Sequence, residues 1–162
     1  RTYKQDKGDK LYRRSLYTYW KRTVPPPSMA TFDAPGREFC LVRRSRTNTP
    51  LQAFVMLHDP QFVEASRHLA ERMMLASKTT KGRIEHGFRL ATSRLPNEKE
   101  IAVLHRVFKE RFELYSKDAE ATEILLSIGE FKRNETLSKP EHAAWATVAR
   151  TLLNLSETIM KN

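Results

Sequence analysis

Proline placement constrains the fold of this chain more than any other feature. Six of its eight prolines lie between Pro25 and Pro60, and three of them are consecutive at 25–27. Proline lacks a backbone N–H and holds φ at about −65°, so it ends helices and favours an extended, polyproline-like path. No regular hydrophobic period follows until residue 49. We therefore predict one long ordered loop, rich in proline and arginine, over residues 25–48.

Outside this loop, apolar residues recur at helical spacing and capping residues mark the helix starts. Thr49-Pro50 and Asp59-Pro60 each place an N-cap residue before a proline, the residue best suited to the first helical position. Asn97 with Glu100, and Ser138 with Glu141, have capping-box spacing. The predicted helices run over 9–22, from 50 to about 57, from 60 to about 77, from Thr79 or Thr80 to about 94, from 98 to a break at Asp118, over 121–128, and from 139 to 159. Strand signals are weak, so we predict an all-α fold of about six or seven orthogonally packed helices.

A chain of 162 residues is long enough for one domain and short for two. We predict a single helical domain over 1–162, with a basic helix and loop in 1–48 and a helical scaffold in 49–162. The polar start RTYKQDKGDK has neither Met nor an apolar signal segment, and is typical of a fragment of a larger multidomain protein. No apolar run approaches the roughly 20 residues of a membrane span. Cys40, the single cysteine, is expected to be a small buried residue.

Positive charge is concentrated in the first third of the chain. Residues 1–50 hold twelve Lys and Arg against four Asp and Glu, a net charge of +8, whereas residues 51–162 carry a net charge of +2. An excess of this size attracts phosphate, sulfate, carboxylate polymers or an acidic protein face.

No motif in the chain indicates a reaction. The five histidines are dispersed and show no metal-ligand spacing, and the chain lacks a glycine-rich phosphate loop and a GxSxG nucleophile elbow. Glu64 and Glu71 share one helix face two turns apart, a spacing typical of a solvated helix. We therefore assign no catalytic residue, no metal ligand and no cofactor to this chain.

The candidate binding site surrounds the helix start at Thr49. Backbone N–H groups at a helix N-terminus, together with arginines upstream, can bind an anion if the loop brings the arginines to the helix end. The predicted binding residues are Asp33, Arg37, Arg43, Arg44, Arg46, Thr47, Asn48 and Thr49. In the structural alternative the arginines pair with Asp33, Glu38 or Asp59, while Thr47 and Asn48 satisfy the loop backbone. The sequence leaves both readings open.

Three stretches carry a family resemblance: LYRRSLYTYWKRTVPPPSMATFDAPGREFCLVRRSRTNTPLQAF, HDPQFVEASRHLAERM and FRLATSRLPNEKEIAVL. They resemble the planctomycete-type (PSD-type) domain of unknown function at the C-terminus of large exported proteins. The resemblance implies an extracytoplasmic parent that often carries a cytochrome-c-like module and a second uncharacterised domain. Any haem c would then lie upstream of Arg1. The family offers no catalytic residues to carry over to this chain.

Three functions are compatible with these features. The first is an accessory helical module that contacts a neighbouring domain of the same polypeptide or an anionic polysaccharide. The second is a part of the active cleft of a redox or hydrolytic polysaccharide-processing enzyme, with Asp33, Glu38 and Asp59 as the carboxylates to test. The third is nucleic-acid binding, which rests on charge and aromatic residues alone and predicts a steep salt dependence. Export makes nucleic acid the least expected partner.

Overall fold

The computed structural model describes residues 6–21, 24–36, 38–43 and 45–160. Within these ranges the chain is helical, and an isolated bridge between Lys21 and Val24 is the one β-type pairing. The α-helices are α1 (Pro27–Thr31), α2 (Pro50–His58), α3 (Pro60–Ala76), α4 (Thr80–Thr92), α5 (Glu98–Lys117), α6 (Ala119–Ser127), α7 (Lys139–Leu153) and α8 (Ser156–Ile159). The prediction of an all-α fold is confirmed. None of the helices in the described ranges is long and apolar enough to cross a membrane.

The chain divides into two compact units, an N-terminal unit (Arg1–Val55) and a C-terminal unit (Met56–Asn162). The single-domain organisation predicted for 1–162 stays a prediction.

Side-chain caps begin most of the long helices where the sequence predicts them. Thr49 Oγ1 accepts from the backbone N–H of Gln52 at 3.3 Å before α2, and Asp59 Oδ1 accepts from the backbone N–H of Gln61 at 2.9 Å before α3. Asn97 and Glu100 form a complete capping box at α5. These caps satisfy N–H groups that have no partner inside the helix. The predicted starts of α2, α3 and α5 are confirmed.

The helix α7 starts at Lys139 as predicted but departs from its prediction in its cap and in its end. Ser138 makes no side-chain cap hydrogen bond, and the carboxylate of Glu141 pairs with Arg83. The helix ends at Leu153 rather than continuing to Ile159, and the short helix α8 follows. The capping box predicted for Ser138 and Glu141 is therefore wrong.

The predicted helix over 9–22 is wrong. Two 3₁₀ turns, Gly8–Tyr12 and Ser15–Tyr17, occupy its described part, and Arg13 between them is extended. Its expected apolar face is covered only in part, since Leu16 is 80% and Tyr19 is 82% exposed, whereas Leu11 and Trp20 are half-buried. A short helix needs the burial of its apolar face, because nucleation is costly and propensity alone is weak.

The predicted loop over 25–48 is interrupted by α1. This helix starts at Pro27, where a proline at the first helical position costs no hydrogen bond. The third of three consecutive prolines therefore starts a helix instead of extending the polyproline-like path.

The core of the C-terminal unit forms around α7. All residues from His142 to Ala149 are buried, and the ring of Trp145 stacks on Phe108 of α5 with centroids 4.3 Å apart. Met73 of α3 lies against Gly87 of α4, where an added Cβ would come within 2.6 Å of the Met73 sulfur. The glycine thus permits close packing of α3 and α4.

Candidate functional sites

A hydrogen-bond network closes the loop between α1 and α2 in the N-terminal unit. The carboxylate of Asp33 accepts from the backbone N–H of Thr47 at 2.7 Å and from its hydroxyl at 2.8 and 3.0 Å. Gln52 Nε2 donates to the Thr31 carbonyl at 2.9 Å and to Thr47 Oγ1 at 3.0 Å, and Gln52 Oε1 accepts from the backbone N–H of Thr49 at 3.0 Å. Asp33 has a φ of 57°, a left-handed conformation that Asp tolerates better than most residues. We call this set of five residues the loop clasp.

The structure brings together only part of the predicted binding set. Asp33, Thr47 and Thr49 belong to the loop clasp, where their polar groups hold the loop itself. Arg43, Arg46 and Asn48 are exposed. Arg37 and Arg44 lie outside the described residues. The anion site at the Thr49 helix start stays a prediction. The hydroxyl of Thr47 contacts the side chains of Asp33 and Gln52 rather than the loop backbone that the structural alternative named.

Sequence reasoning missed Gln52, which is 1% exposed at the centre of the loop clasp. It stands three residues after Thr49, the spacing of a capping box with glutamine. That local signal could have been found. The contact of Gln52 with Thr31 lies 21 residues away in sequence and has no local signal.

The carboxylates of the enzyme hypothesis have structural roles where the structure shows their contacts. Asp33 belongs to the loop clasp, and Asp59 caps α3. Glu38 is exposed. Among the described residues no group of three or more His, Cys, Asp or Glu side chains could hold a metal ion.

The N-terminal unit exposes an unusual number of large apolar side chains. They occur in two main segments, 12–24 and 39–42, and at the start of α2. The exposed residues are Tyr12, Leu16, Tyr17, Tyr19, Val24, Phe39, Leu41, Val42, Leu51 and Phe54. Cys40 is exposed with its neighbours, so its predicted burial is wrong. The basic residues Arg13, Arg14, Lys21, Arg43 and Arg46 of the same unit are also exposed.

In the C-terminal unit, α3 anchors the connection between α6 and α7 with a buried ion pair. Glu64 Oε1 accepts from the backbone N–H groups of Glu130 at 3.0 Å and Phe131 at 2.6 Å. Arg67 Nη1 donates to the Leu126 carbonyl at 2.6 Å, and its Nη2 donates to the Phe131 carbonyl. The two side chains lie 3.6 Å apart and are almost completely buried. Glu64 is therefore not the solvated residue that its spacing predicts.

Two further contacts extend this anchor. Glu71 Oε1 accepts from the backbone N–H of Asn134 at 2.7 Å, and Glu71 Oε2 lies 3.3 Å from His68 Nδ1. His142 Nε2 lies 3.1 Å from the Arg67 carbonyl, which can only accept, so Nε2 carries the proton. Burial lowers the pKa of His142, which keeps this imidazole neutral. Polar groups of α3 thus hold the α6–α7 connection in place, and His142 joins α7 to α3.

An open cleft of about 650 Å³ lies beside this connection. Four cationic and three anionic side chains line it, together with the partly exposed ring of Phe131. The charged lining residues are Arg67, Lys132, Arg133, Lys139, Glu123, Glu130 and Glu135. Lys139 Nζ is 2.6 Å from Glu123 Oε2, and Arg133 Nη1 donates to the carbonyls of Asn134 and Leu137. The volume is in the usual range for a small-molecule site.

Comparison with known proteins gives a family and no further detail. A family model described as PSD1, protein of unknown function (DUF1553), matches residues 1–108. No curated protein and no solved structure matches the chain. The matched part contains the loop clasp and α3, whereas all lining residues of the cleft except Arg67 follow it in the sequence.

Proposed function

The chain belongs to the PSD1 family of proteins of unknown function (DUF1553), and we propose that it is a non-catalytic binding module of a larger exported protein. Its N-terminal unit docks onto a neighbouring domain of the same polypeptide. The observation that carries this proposal is the exposure of large apolar side chains in that unit, with Leu16, Tyr19 and Phe39 each more than 70% exposed. Exposed apolar side chains in such number mark interaction surfaces.

The type of exposed residue favours a protein partner over a polysaccharide. Leu16, Leu41 and Val42 are aliphatic and offer no ring face for a sugar. Covering such a side chain with another apolar surface gains about 1.5–3 kcal/mol. The tyrosines among them combine apolar area with a hydroxyl group, which suits a protein interface.

The charge of the N-terminal unit specifies the character of the partner surface. Residues 1–50 carry a net charge of +8, and Arg13, Arg14 and Lys21 are exposed within the first apolar segment. The partner face is therefore apolar at its centre and acidic at its rim. Any haem c or other redox cofactor of the parent protein belongs to another domain of that protein. An extracytoplasmic location of the parent protein is part of the same proposal.

The test measures association between this chain and the adjoining domain of its parent, each produced as a separate polypeptide. Titration calorimetry should detect binding, and the double variant L16S/Y19S should weaken it about tenfold or more, since truncated apolar hot spots cost at least 1 to 2 kcal/mol each. The matched control is V103S/L114S, which removes two exposed apolar side chains from α5 and should leave binding unchanged.

Parallel titrations use sulfated, carboxylated and neutral polysaccharides and duplex DNA at low and high salt. Absence of binding to the adjoining domain, or equal loss in both double variants, overturns the docking proposal. Polysaccharide binding that survives in L16S/Y19S would assign the chain to carbohydrate recognition instead. Binding to DNA with a steep salt dependence would assign it to nucleic acid.

A further inference from the structure

The cleft of the C-terminal unit contains a positioned guanidinium group with hydrogen-bonding capacity to spare. Arg133 Nη1 donates to the carbonyls of Asn134 at 3.3 Å and Leu137 at 3.0 Å, and these are its hydrogen bonds within the described residues. Its Nη2 and Nε groups remain for a ligand, and two parallel donors of this kind match a carboxylate. Because Nη1 is held by the loop backbone, the guanidinium is oriented before a ligand arrives.

Two further cationic features lie at the same cleft. Lys132 is exposed and makes no hydrogen bond or ion pair with the described residues. Lys139, paired with Glu123, is the first residue of α7, whose N-terminus has no side-chain cap from Ser138. The uncapped end of a helix of 15 residues adds partial positive charge.

The electrostatic environment agrees with this geometry. The hydrogen bond from Lys139 and its charge, with a contribution from the charge of Arg133, hold the pKa of Glu123 below its ordinary value. The carboxylate of Glu123 therefore responds to the positive charges of Lys139 and Arg133 at the cleft.

The rest of the lining suits hydroxyl groups rather than a simple anion. The carboxylates of Glu130 and Glu135 can accept from ligand hydroxyls, and the partly exposed ring of Phe131 offers an apolar face. Glu64 holds the backbone N–H groups of Glu130 and Phe131, so this wall of the cleft is fixed.

We propose that the cleft binds a hydroxylated carboxylate, the chemistry of a uronic acid. Arg133 takes the carboxylate, Lys132 and the start of α7 add positive charge, and Glu130 and Glu135 accept from hydroxyl groups. The site lies within the C-terminal unit and does not depend on the docking proposed for the N-terminal unit.

The experiment titrates the full chain with glucuronate and follows backbone amides by two-dimensional NMR, with calorimetry for affinity. We expect shifts of the amides of residues 127–134. Glucose lacks the carboxylate and acetate lacks the hydroxyls, so each should bind about tenfold more weakly than glucuronate or not at all, since a hydrogen bond to a charged group contributes about 1.5–3 kcal/mol. Equal binding of glucose or acetate overturns the proposal.

Variants locate the site. R133Q should weaken glucuronate binding about tenfold or more, and R133K should recover part of it, because lysine keeps the charge without the paired donors. R89Q removes an exposed arginine from α4 that does not line the cleft, and should bind as the unchanged chain does. Equal affinities of R133Q and R89Q overturn the proposal.

K132Q decides the question if R133Q fails to fold, since Lys132 is exposed and makes no hydrogen bond or ion pair with the described residues. It should weaken binding about threefold, in line with one exposed ion pair, and an unchanged affinity then counts against the site. A polyuronate chain gives the last comparison. If the affinity per uronate unit of the polymer exceeds the affinity for glucuronate, the ligand comes from a polymer. If the two affinities are equal, the ligand is the free acid.

Discussion

Glu64 accepts a hydrogen bond of 2.6 Å from the backbone N–H of Phe131, which lies 67 residues later in the chain. The contact joins the first half of α3 to the wall of the cleft. Since Glu64 is 1% exposed, its charge is compensated inside the protein by Arg67 at 3.6 Å and by two backbone donors. The buried carboxylate of Glu64 therefore holds the α6–α7 connection together with Arg67 and Glu71.

Replacement of Glu64 by alanine should strongly destabilise the protein. The variant leaves the backbone N–H groups of Glu130 and Phe131 without their acceptor and removes the ion-pair partner of the buried Arg67. Breaking a buried pair in this way costs about 3–5 kcal/mol of unfolding free energy, measured by urea denaturation. Glu113→Ala is the control on the exposed surface of α5 and should change stability by about 0.5 kcal/mol or less. Similar midpoints for the two variants would contradict this role of Glu64.

Gly129 should not tolerate alanine. It has a φ of 105°, and a Cβ at this position would lie 2.5 Å from Cδ of Glu64. Backbone strain at such an angle costs about 1–3 kcal/mol, and the clash adds to it. Gly36→Ala is a matched control, since no atom lies within 4 Å of its Cβ position and its φ is not positive. Thermal unfolding should show a lower midpoint for G129A alone, and an unchanged midpoint would show that the loop can move away from α3.

Stability should fall in acid partly through His142. Burial lowers the pKa of His142 in the folded state, so between that value and the unfolded value of about 6.5 the unfolded chain binds more protons. The contribution of His142 is therefore fully present above about pH 6.5 and is lost as pH falls through this range. The charged groups that act on His142 are Glu71, Arg133 and Arg67. Urea midpoints at about pH 7.5 and 5.5 measure the effect.

Comparison of two histidine variants isolates the contribution of His142 to the pH dependence of stability. His142→Gln should reduce the difference between the two midpoints, whereas His105→Gln on the exposed face of α5 should leave the difference as it is. An equal pH dependence in both variants would assign the acid sensitivity to other groups.

Local chemistry explains which parts of the fold were predictable. Thr49, Asp59 and Asn97 act on backbone groups two or three residues away, so their roles as helix caps are visible in the sequence. Ser138 shows the limit of such rules, because it has capping-box spacing with Glu141 and yet makes no side-chain cap hydrogen bond. The carboxylate of Glu141 pairs with Arg83, 58 residues away, a contact that no local pattern reveals.

The cleft was not predictable because its parts are distant in sequence. Arg67 lies on α3, and the remaining lining residues begin at Glu123. The spacing of Glu64 and Glu71 identifies a shared helix face but does not distinguish solvent from a covering loop. Similarly, the helical period over 9–22 does not reveal whether its apolar face is buried, and the exposure of Leu16 and Tyr19 explains why that helix does not form.

The loop clasp should control the protection of the segment between α1 and α2. Thr47→Val keeps the shape of the side chain but removes the hydroxyl that donates to Asp33 and accepts from the buried Gln52. One of the two N–H groups of the Gln52 amide then loses its acceptor, while the other still donates to the Thr31 carbonyl. A buried donor without an acceptor costs about 1–3 kcal/mol, so the loop should open more often. Limited trypsin digestion measures this as faster cleavage after Arg43 and Arg46. Asn48→Ala changes the exposed neighbour and should digest at the original rate, so equal rates for the two variants would mean that the loop is held by contacts other than the clasp.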